Sequence, residues 1–185
     1  RFSTSSPNYN VAIGAEAGDD LFSGDYNTLV GYNSDVLLSS SFGGVAVGAF
    51  SKVASFGVTL GYSAGSTGTS GDLGNVCIGY EAGKDIDGGD YNVFVGYESG
   101  ENGGSGSNNA GVGNKSLFTL SSGINNSAMG AYSLYQVSSG DYNVAIGMQS
   151  GYSVSTSDGN SLLGANAGSS QGGSTTNALT TGSNV

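Results

Sequence analysis

The sequence predicts an all-β protein, a parallel β-solenoid (β-roll) of about ten to eleven coils with about 17 residues in each. Three observations support this prediction. Glycines recur at a fixed period, aliphatic residues alternate in front of each glycine, and an asparagine or glycine precedes each alternating segment. A fixed period of this kind is typical of stacked arrays, in which each unit packs only on its neighbours.

The repeat is clearest in a motif of the type Asn-Val-Ala-Ile-Gly, whose last residue defines the glycine column. The sequence numbers of successive motif glycines differ by 17, except for differences of 13 and 18 on either side of Gly61. We expect the short step to trim an outer loop and to leave the strand in register. The column comprises Gly14, Gly31, Gly48, Gly61, Gly79, Gly96, Gly113, Gly130, Gly147 and Gly164, and a degraded eleventh copy spans Asn177 to Thr181.

The three residues before each glycine predict a short strand, with a strand-start, a strand-middle and a strand-end column. The strand-start column is mostly valine, as at Val11, and the strand-end column is aliphatic in every copy, as at Ile13. Alternate residues of a strand share a face, so we expect these two columns to form the inward apolar face. Cys77 shares the strand-middle column with several alanines, which predicts a small buried residue.

Four residues before each glycine lies the asparagine column. It holds asparagine in eight of ten copies, and Gly44 and Gly57 in the other two. Both residue types tolerate a left-handed backbone, so the column predicts a sharp corner and, once coils stack, an asparagine ladder. Its members are Asn10, Asn27, Asn75, Asn92, Asn109, Asn126, Asn143 and Asn160.

The residues after the glycine predict a crowded position and a second strand. Three residues after it, the small column is always serine or alanine, from Ala17 to Ala167. Seven residues after it, a weaker strand is predicted at Leu21, Leu38, Ile86, Leu120, Val137 and Val154. Eleven stacked coils would form a rod on the order of 50 Å long. We therefore expect a lead-in at residues 1–7, the solenoid at 8–181 and a tail at 182–185.

Composition limits the partners. The net charge is −10 and no basic cluster occurs, which argues against nucleic acid. No run of about 18 apolar residues occurs, so no membrane insertion is expected. Cys77 is the one cysteine, so no disulfide framework is predicted, and a start at Arg1 without a signal pattern suggests a piece of a longer chain.

The motif followed by Ser or Ala at the third position, as in Asn10 to Ala17, Asn92 to Ser99 and Asn143 to Ser150, resembles the YadA-like head repeats of trimeric autotransporter adhesins. It is similar as well to repeats of phage tail fibres. The resemblance covers about residues 8 to 181 and implies a homotrimer around a threefold axis, with the small column where chains approach closely. The coils of this chain are longer than those of the adhesin heads, which implies longer outer loops.

Catalytic chemistry has few candidates in this chain. The sequence has no histidine, so neither a Ser/His nor a Cys/His arrangement is available. Glu81 and Glu98 occupy the same column of adjacent coils, at a separation that suits a retaining glycosidase. We expect no enzyme, and a tailspike-type polysaccharide-degrading enzyme using this pair is the alternative.

No cofactor and no metal are predicted. Asp85, Asp87 and Asp90 lack a full calcium coordination pattern. Asp25, Asp90 and Asp141 lie in the phrase Gly-Asp-Tyr-Asn, where a turn-forming role is favoured over cation binding.

Tyr62, Tyr80 and Tyr97 directly follow the motif glycine in three successive coils. Stacking would align them into a row that binds a ligand or, as the favoured alternative, packs between chains.

The function expected from these features is a structural and adhesive segment of an extracellular fibre, on a virion tail or a bacterial cell surface. Its partners would be further copies of itself and a cell-surface glycan or protein receptor. An ice-binding or surface-binding solenoid would need a regular threonine column, and the threonines follow none.

Overall fold

The computed structural model describes residues 9–65 and 73–169, and within these ranges the chain forms only short strands and turns. The eleventh copy, the lead-in at 1–7 and the tail at 182–185 lie outside the described residues. The strands are β1 (Val11–Ile13), β2 (Thr28–Val30), β3 (Asp35–Val36), β4 (Val45–Val47), β5 (Lys52–Val53), β6 (Val58–Leu60), β7 (Val76–Ile78), β8 (Val93–Val95), β9 (Ala110–Val112), β10 (Ser127–Met129), β11 (Val144–Ile146) and β12 (Ser161–Leu163).

Ten of these strands form one parallel sheet, in the order β1-β2-β4-β6-β7-β8-β9-β10-β11-β12. Each strand pairs with the equivalent strand of the next coil, so Val11 lies beside Thr28 and Val144 beside Ser161. The short step before Gly61 keeps the same register, since Val45 pairs with Val58. The predicted β-solenoid is therefore confirmed.

The predicted second strand is largely wrong. A second sheet contains only β3 and β5, which begin four residues after their glycines, and Ile86 makes an isolated bridge with Gly104. Four of the six predicted residues are nevertheless buried, namely Leu21, Ile86, Leu120 and Val137. The turns there supply apolar side chains to the core without forming a continuous ladder.

The predicted inward face is also wrong. The strand-middle column is buried, as Leu29, Cys77 and Phe94 show, whereas the strand-start and strand-end columns point outward. Ile13 is 60% exposed and Ile146 is 42% exposed. A strand has two faces, and here the narrow interior takes one side chain per strand, so the larger aliphatic residues lie on the outside.

The core is packed by complementary volumes within each coil. Phe94 in the strand-middle column fits because Gly100 lies opposite, where an added Cβ would come within 2.5 Å of the ring. In the next coil the sizes are exchanged, since Gly111 lies in the strand-middle column and Leu117 is fully buried. Such pairing keeps interior density nearly constant without identical residues.

The small column lies inside each coil. Ser99, Ser116 and Ser133 are fully buried within the single chain, and the Ser99 hydroxyl lies 2.8 Å from that of Ser116. The crowding predicted for this column is confirmed. A column enclosed by its own coil cannot be the place where chains approach one another, which corrects the implication drawn from the adhesin heads.

The asparagine ladder is present, but the corner is one residue earlier than predicted. The left-handed residue is the one before the asparagine, such as Tyr26 with φ 62° or Tyr142 with φ 57°. The asparagine itself contributes its side chain. Its Oδ1 accepts the backbone N–H of the next asparagine at 2.8 to 3.0 Å, and its Nδ2 donates to a carbonyl of the next coil at 2.7 to 2.9 Å.

Gly44 and Gly57 interrupt this ladder where the coil is short. The Val53 side chain fills the space, since a Cβ on Gly44 would lie 2.7 Å from it. The ladder still reaches the interruption, because the N–H of Gly44 donates to Oδ1 of Asn27 at 2.9 Å.

The glycine column meets a steric requirement. Gly14 has φ 137° and Gly96 has φ 141°, and a Cβ on either would collide with the carbonyl of the next glycine in the column. Only glycine combines this backbone with so close an approach.

We predict that Asn109→Ala destabilises the fold strongly. Asn109 is almost fully buried, and its loss leaves the N–H of Asn126 and the carbonyl of Gly123 without their partners. Each buried group left unpaired costs about 1–3 kcal/mol. Urea unfolding measures the difference, with Asn102→Ala as the exposed control. Equal stability of the two variants would contradict the structural role of the ladder.

Candidate functional site

The three predicted tyrosines form a stacked, accessible row. Tyr62 and Tyr80 have ring centroids 5.4 Å apart, and Tyr80 and Tyr97 have centroids 5.1 Å apart, with ring planes within 9° of parallel. Their exposed fractions are 46%, 42% and 48%. The predicted alignment is confirmed, and the row is accessible in the single chain.

Each of two tyrosines is coupled to the glutamate that follows it. A hydrogen bond to Glu81 raises the pKa of the Tyr80 phenol, and a hydrogen bond to Glu98 raises that of Tyr97. The hydroxyl groups thus remain protonated donors at neutral pH, and the carboxylates are held beside the aromatic row.

The predicted catalytic pair lies in a network of ion pairs. Oxygens of Glu81, Glu98 and Glu101 lie within 4.8 Å of one another. Lys84 contacts Glu81 at 3.3 Å and Glu101 at 4.0 Å, and Lys115 contacts Glu98 at 2.8 Å. The three oxygens have the chemistry of cation ligands, but the two ammonium groups already supply positive charge to the cluster.

The surroundings of Glu98 and Glu101 shift the pKa values of the two carboxyl groups in opposite directions. Burial raises the pKa of Glu98, but hydrogen bonds with Lys115 and Tyr97 outweigh it, so the pKa lies below its ordinary value. Burial and the nearby charge of Glu98 raise the pKa of Glu101. Glu98, one member of the predicted catalytic pair, is therefore held in its ionised form. This form suits an ion pair with Lys115 and not a proton donor.

A second aromatic row extends along the solenoid and was missed from the sequence. Phe118, Tyr135 and Tyr152 lie five residues after successive glycines, with centroids 5.0 and 4.9 Å apart. Lys115 joins the two rows, since its Nζ lies 4.7 Å from the centre of the Phe118 ring. The signal was available, because these aromatic residues recur at the period of the glycines.

Two aspartates of the Gly-Asp-Tyr-Asn phrases accept backbone hydrogen bonds from a neighbouring coil. Asp90 accepts the backbone N–H of Leu73 at 2.8 Å, and Asp141 accepts that of Ile124 at 2.8 Å. Both bonds reach a residue 17 positions earlier, so these aspartates join neighbouring coils, and their local turn-forming role stays a prediction.

The outer face of the ten-stranded sheet is an uncharged, mostly aliphatic surface. We call it the aliphatic face; it consists of the strand-start column (Val11, Thr28, Val45, Val58, Val76, Val93, Ala110, Ser127, Val144, Ser161) and the strand-end column (Ile13, Val30, Val47, Leu60, Ile78, Val95, Val112, Met129, Ile146, Leu163).

The aliphatic face carries no charged residue. Ten strands about 4.8 Å apart and three residues wide give it an area on the order of 450 Å² before side-chain relief is counted. Single large patches of this kind mark contact surfaces in soluble proteins.

We predict opposite effects of neutralising Glu98 and Glu101. The lowered pKa of Glu98 means that its stabilisation is present above about pH 4.5, the ordinary value, and is lost as the pH falls through the folded-state pKa. The raised pKa of Glu101 means that its ionised form opposes folding at neutral pH, and that this cost disappears on acidification.

At pH 7, Glu98→Gln should therefore lower the free energy of unfolding by a few tenths to about 1 kcal/mol, and Glu101→Gln should leave it unchanged or raise it. Thermal unfolding at pH 7 and pH 3.5 measures both variants, and their difference should shrink at pH 3.5. The same sign of change for both variants at pH 7 would refute the assignment of the ion pairs.

Within the described residues, no helix has the length and apolar character needed to cross a membrane. Comparison of the chain with protein-family models, with curated proteins and with solved structures gave no match.

Proposed function

We propose that this chain is a structural and adhesive segment of an extracellular homotrimeric fibre, on a phage tail or a bacterial surface. The observation that carries the proposal is the uncharged aliphatic face. An apolar surface that extends through all ten coils is costly to leave in water, and further copies of the same chain present the matching surface at the same height.

Parallel association in register suits a fibre. Each coil then meets the equivalent coils of its partners, so one repeat unit generates the whole length of the contact. The number three rests on the resemblance of the Asn-Val-Ala-Ile-Gly motif to the adhesin heads. The contact residues differ from those that the resemblance implied, because the small column is enclosed within its own coil.

The aromatic rows support an adhesive role. The chain bends at each motif glycine, so Tyr62, Tyr80 and Tyr97 lie beyond the end of the strand that carries the aliphatic face. Exposed tyrosines with adjacent carboxylates offer a large contact area with hydrogen-bonding groups, which suits a glycan or a protein receptor. The ion pairs of Glu81 and Glu98 favour such binding over glycoside hydrolysis.

We predict that the protein sediments as a trimer and that Ile146→Asp converts it to a monomer. Ile146 points outward, so the aspartate leaves the core of the single chain intact but places a charge in the contact. Analytical ultracentrifugation measures the mass, and Ser105→Asp on an exposed turn is the control. A monomeric unmodified protein, or an Ile146→Asp variant that is still trimeric, would contradict the proposal.

We predict that replacing Tyr62, Tyr80 and Tyr97 by alanine reduces receptor binding at least about tenfold, which is a modest loss for three contact aromatics. Binding is measured on an array of immobilised glycans and on bacterial envelopes. The matched control replaces Phe118, Tyr135 and Tyr152, the second stacked row. Loss of binding in the control alone would assign the receptor site to the second row instead.

A further inference from the structure

A depression of about 190 Å³ lies in the aliphatic face, over β9, β10 and β11. It exists because the strand-start column, which is valine in most coils, holds Ala110 and Ser127 in two successive coils. Met129, Val144 and Ile146 form its rim. The walls are almost entirely apolar side chains, so the site fits an apolar group rather than a polar one.

The symmetry of a closed ring determines what lies opposite the depression. In a cyclic trimer each contact is heterologous, so one edge of a face meets the other edge of its neighbour. The strand-start column of one copy therefore meets the strand-end column of the next. With the copies parallel and in register, Ala110 and Ser127 face the neighbour's residues from the same two coils, which include Met129.

Met129 has the properties of a filling side chain. It is the one methionine in a strand-end column of otherwise branched residues, and it is 56% exposed in the single chain. Methionine is long and adaptable and fills irregular apolar gaps. Because an apolar cavity of about 150 Å³ accommodates benzene, the depression of about 190 Å³ has room for the four heavy atoms of the Met129 side chain.

A second coil also combines a small strand-start residue with a long strand-end residue. Ser161 holds the strand-start position of β12, and its strand-end partner is Leu163. In the remaining coils the strand-start residue is valine, threonine or alanine, and the strand-end residue is β-branched in all of them except at Leu60. A serine in the strand-start column thus coincides with a strand-end residue that is not branched at Cβ and reaches further. This is expected if the two columns pack against each other between copies.

We propose that Met129 of one copy inserts into the depression over Ala110 and Ser127 of the next copy and thereby opposes axial slip of the copies toward Val144. This inference rests on the proposed homotrimer. A slip of one coil in one direction would set Met129 against Val144, where valine fills the column, whereas a slip in the other direction would leave Met129 over Ala110, within the depression. The contact thus adds a register signal to a face whose other coils are nearly equivalent.

Disulfide trapping between two differently tagged chains tests the contact. One chain carries Ser127→Cys and the other carries Met129→Cys, both in a Cys77→Ala background, since alanine holds the same position in other coils. A disulfide requires Cβ atoms about 3.5–4.5 Å apart, so it forms only if the two positions meet. We expect a cross-linked heterodimer on a non-reducing gel from the mixture, and little cross-linking from either chain alone.

The outcomes separate this inference from the proposed trimer. A trimeric mass without the mixed disulfide, or with equal cross-linking of Ser127→Cys to itself, would overturn the insertion of Met129 and leave the trimer standing. A monomeric mass for the unmodified protein would overturn both.

A size exchange provides a second readout. Ser127→Met alone fills the depression and should raise the concentration at which the trimer dissociates by about tenfold or more, since overpacking opposes association. Adding Met129→Ser exchanges the two sizes and should restore that concentration to within about threefold. Failure of the second change to rescue the first would overturn the proposed packing.

Discussion

The fold depends on the hydrogen-bonded asparagine ladder. Each buried carboxamide accepts the N–H of the next asparagine and donates to a carbonyl of the next coil, as between Asn109 and Asn126. These bonds form only when equivalent residues lie at the same height, so they select one register among the many that short strands allow. Where the ladder is interrupted, at Gly44 and Gly57, an apolar residue, Val53, takes the space.

This register determines the surfaces. Because each coil repeats the one before it, any position that keeps its residue type becomes a row with one residue per strand spacing, whether aliphatic, aromatic or charged. The stacked tyrosines and the glutamate–lysine network are consequences of that geometry. The narrow interior is the second consequence, since it takes one side chain per strand and leaves the two flanking aliphatic residues outside. Contact with other molecules therefore becomes a property of the repeat itself.

The sequence was sufficient to predict the period, the strand before each motif glycine, the asparagine ladder and the tyrosine row, because all of them follow from residues that recur once per coil. It was insufficient for the direction of the side chains. Alternation shows that two columns share a face but not which face is inside, and the larger aliphatic residues suggested the wrong answer. Leu29 and Phe94 in the strand-middle column were the available signal. Lys115 lies one period after Glu98 in the same column, so the spacing was enough to place the two residues side by side, and only the 2.8 Å contact itself depends on side-chain conformation.

Residue-resolved hydrogen exchange tests the ladder most directly. The backbone amides of Asn109, Asn126 and Asn143 donate to side-chain oxygens rather than to the backbone. If the ladder determines the register, these amides exchange as slowly as those of the adjoining strands, because opening them requires separation of two coils. Exchange of these amides at the rates of unstructured peptides, beside protected strand amides, would contradict the account.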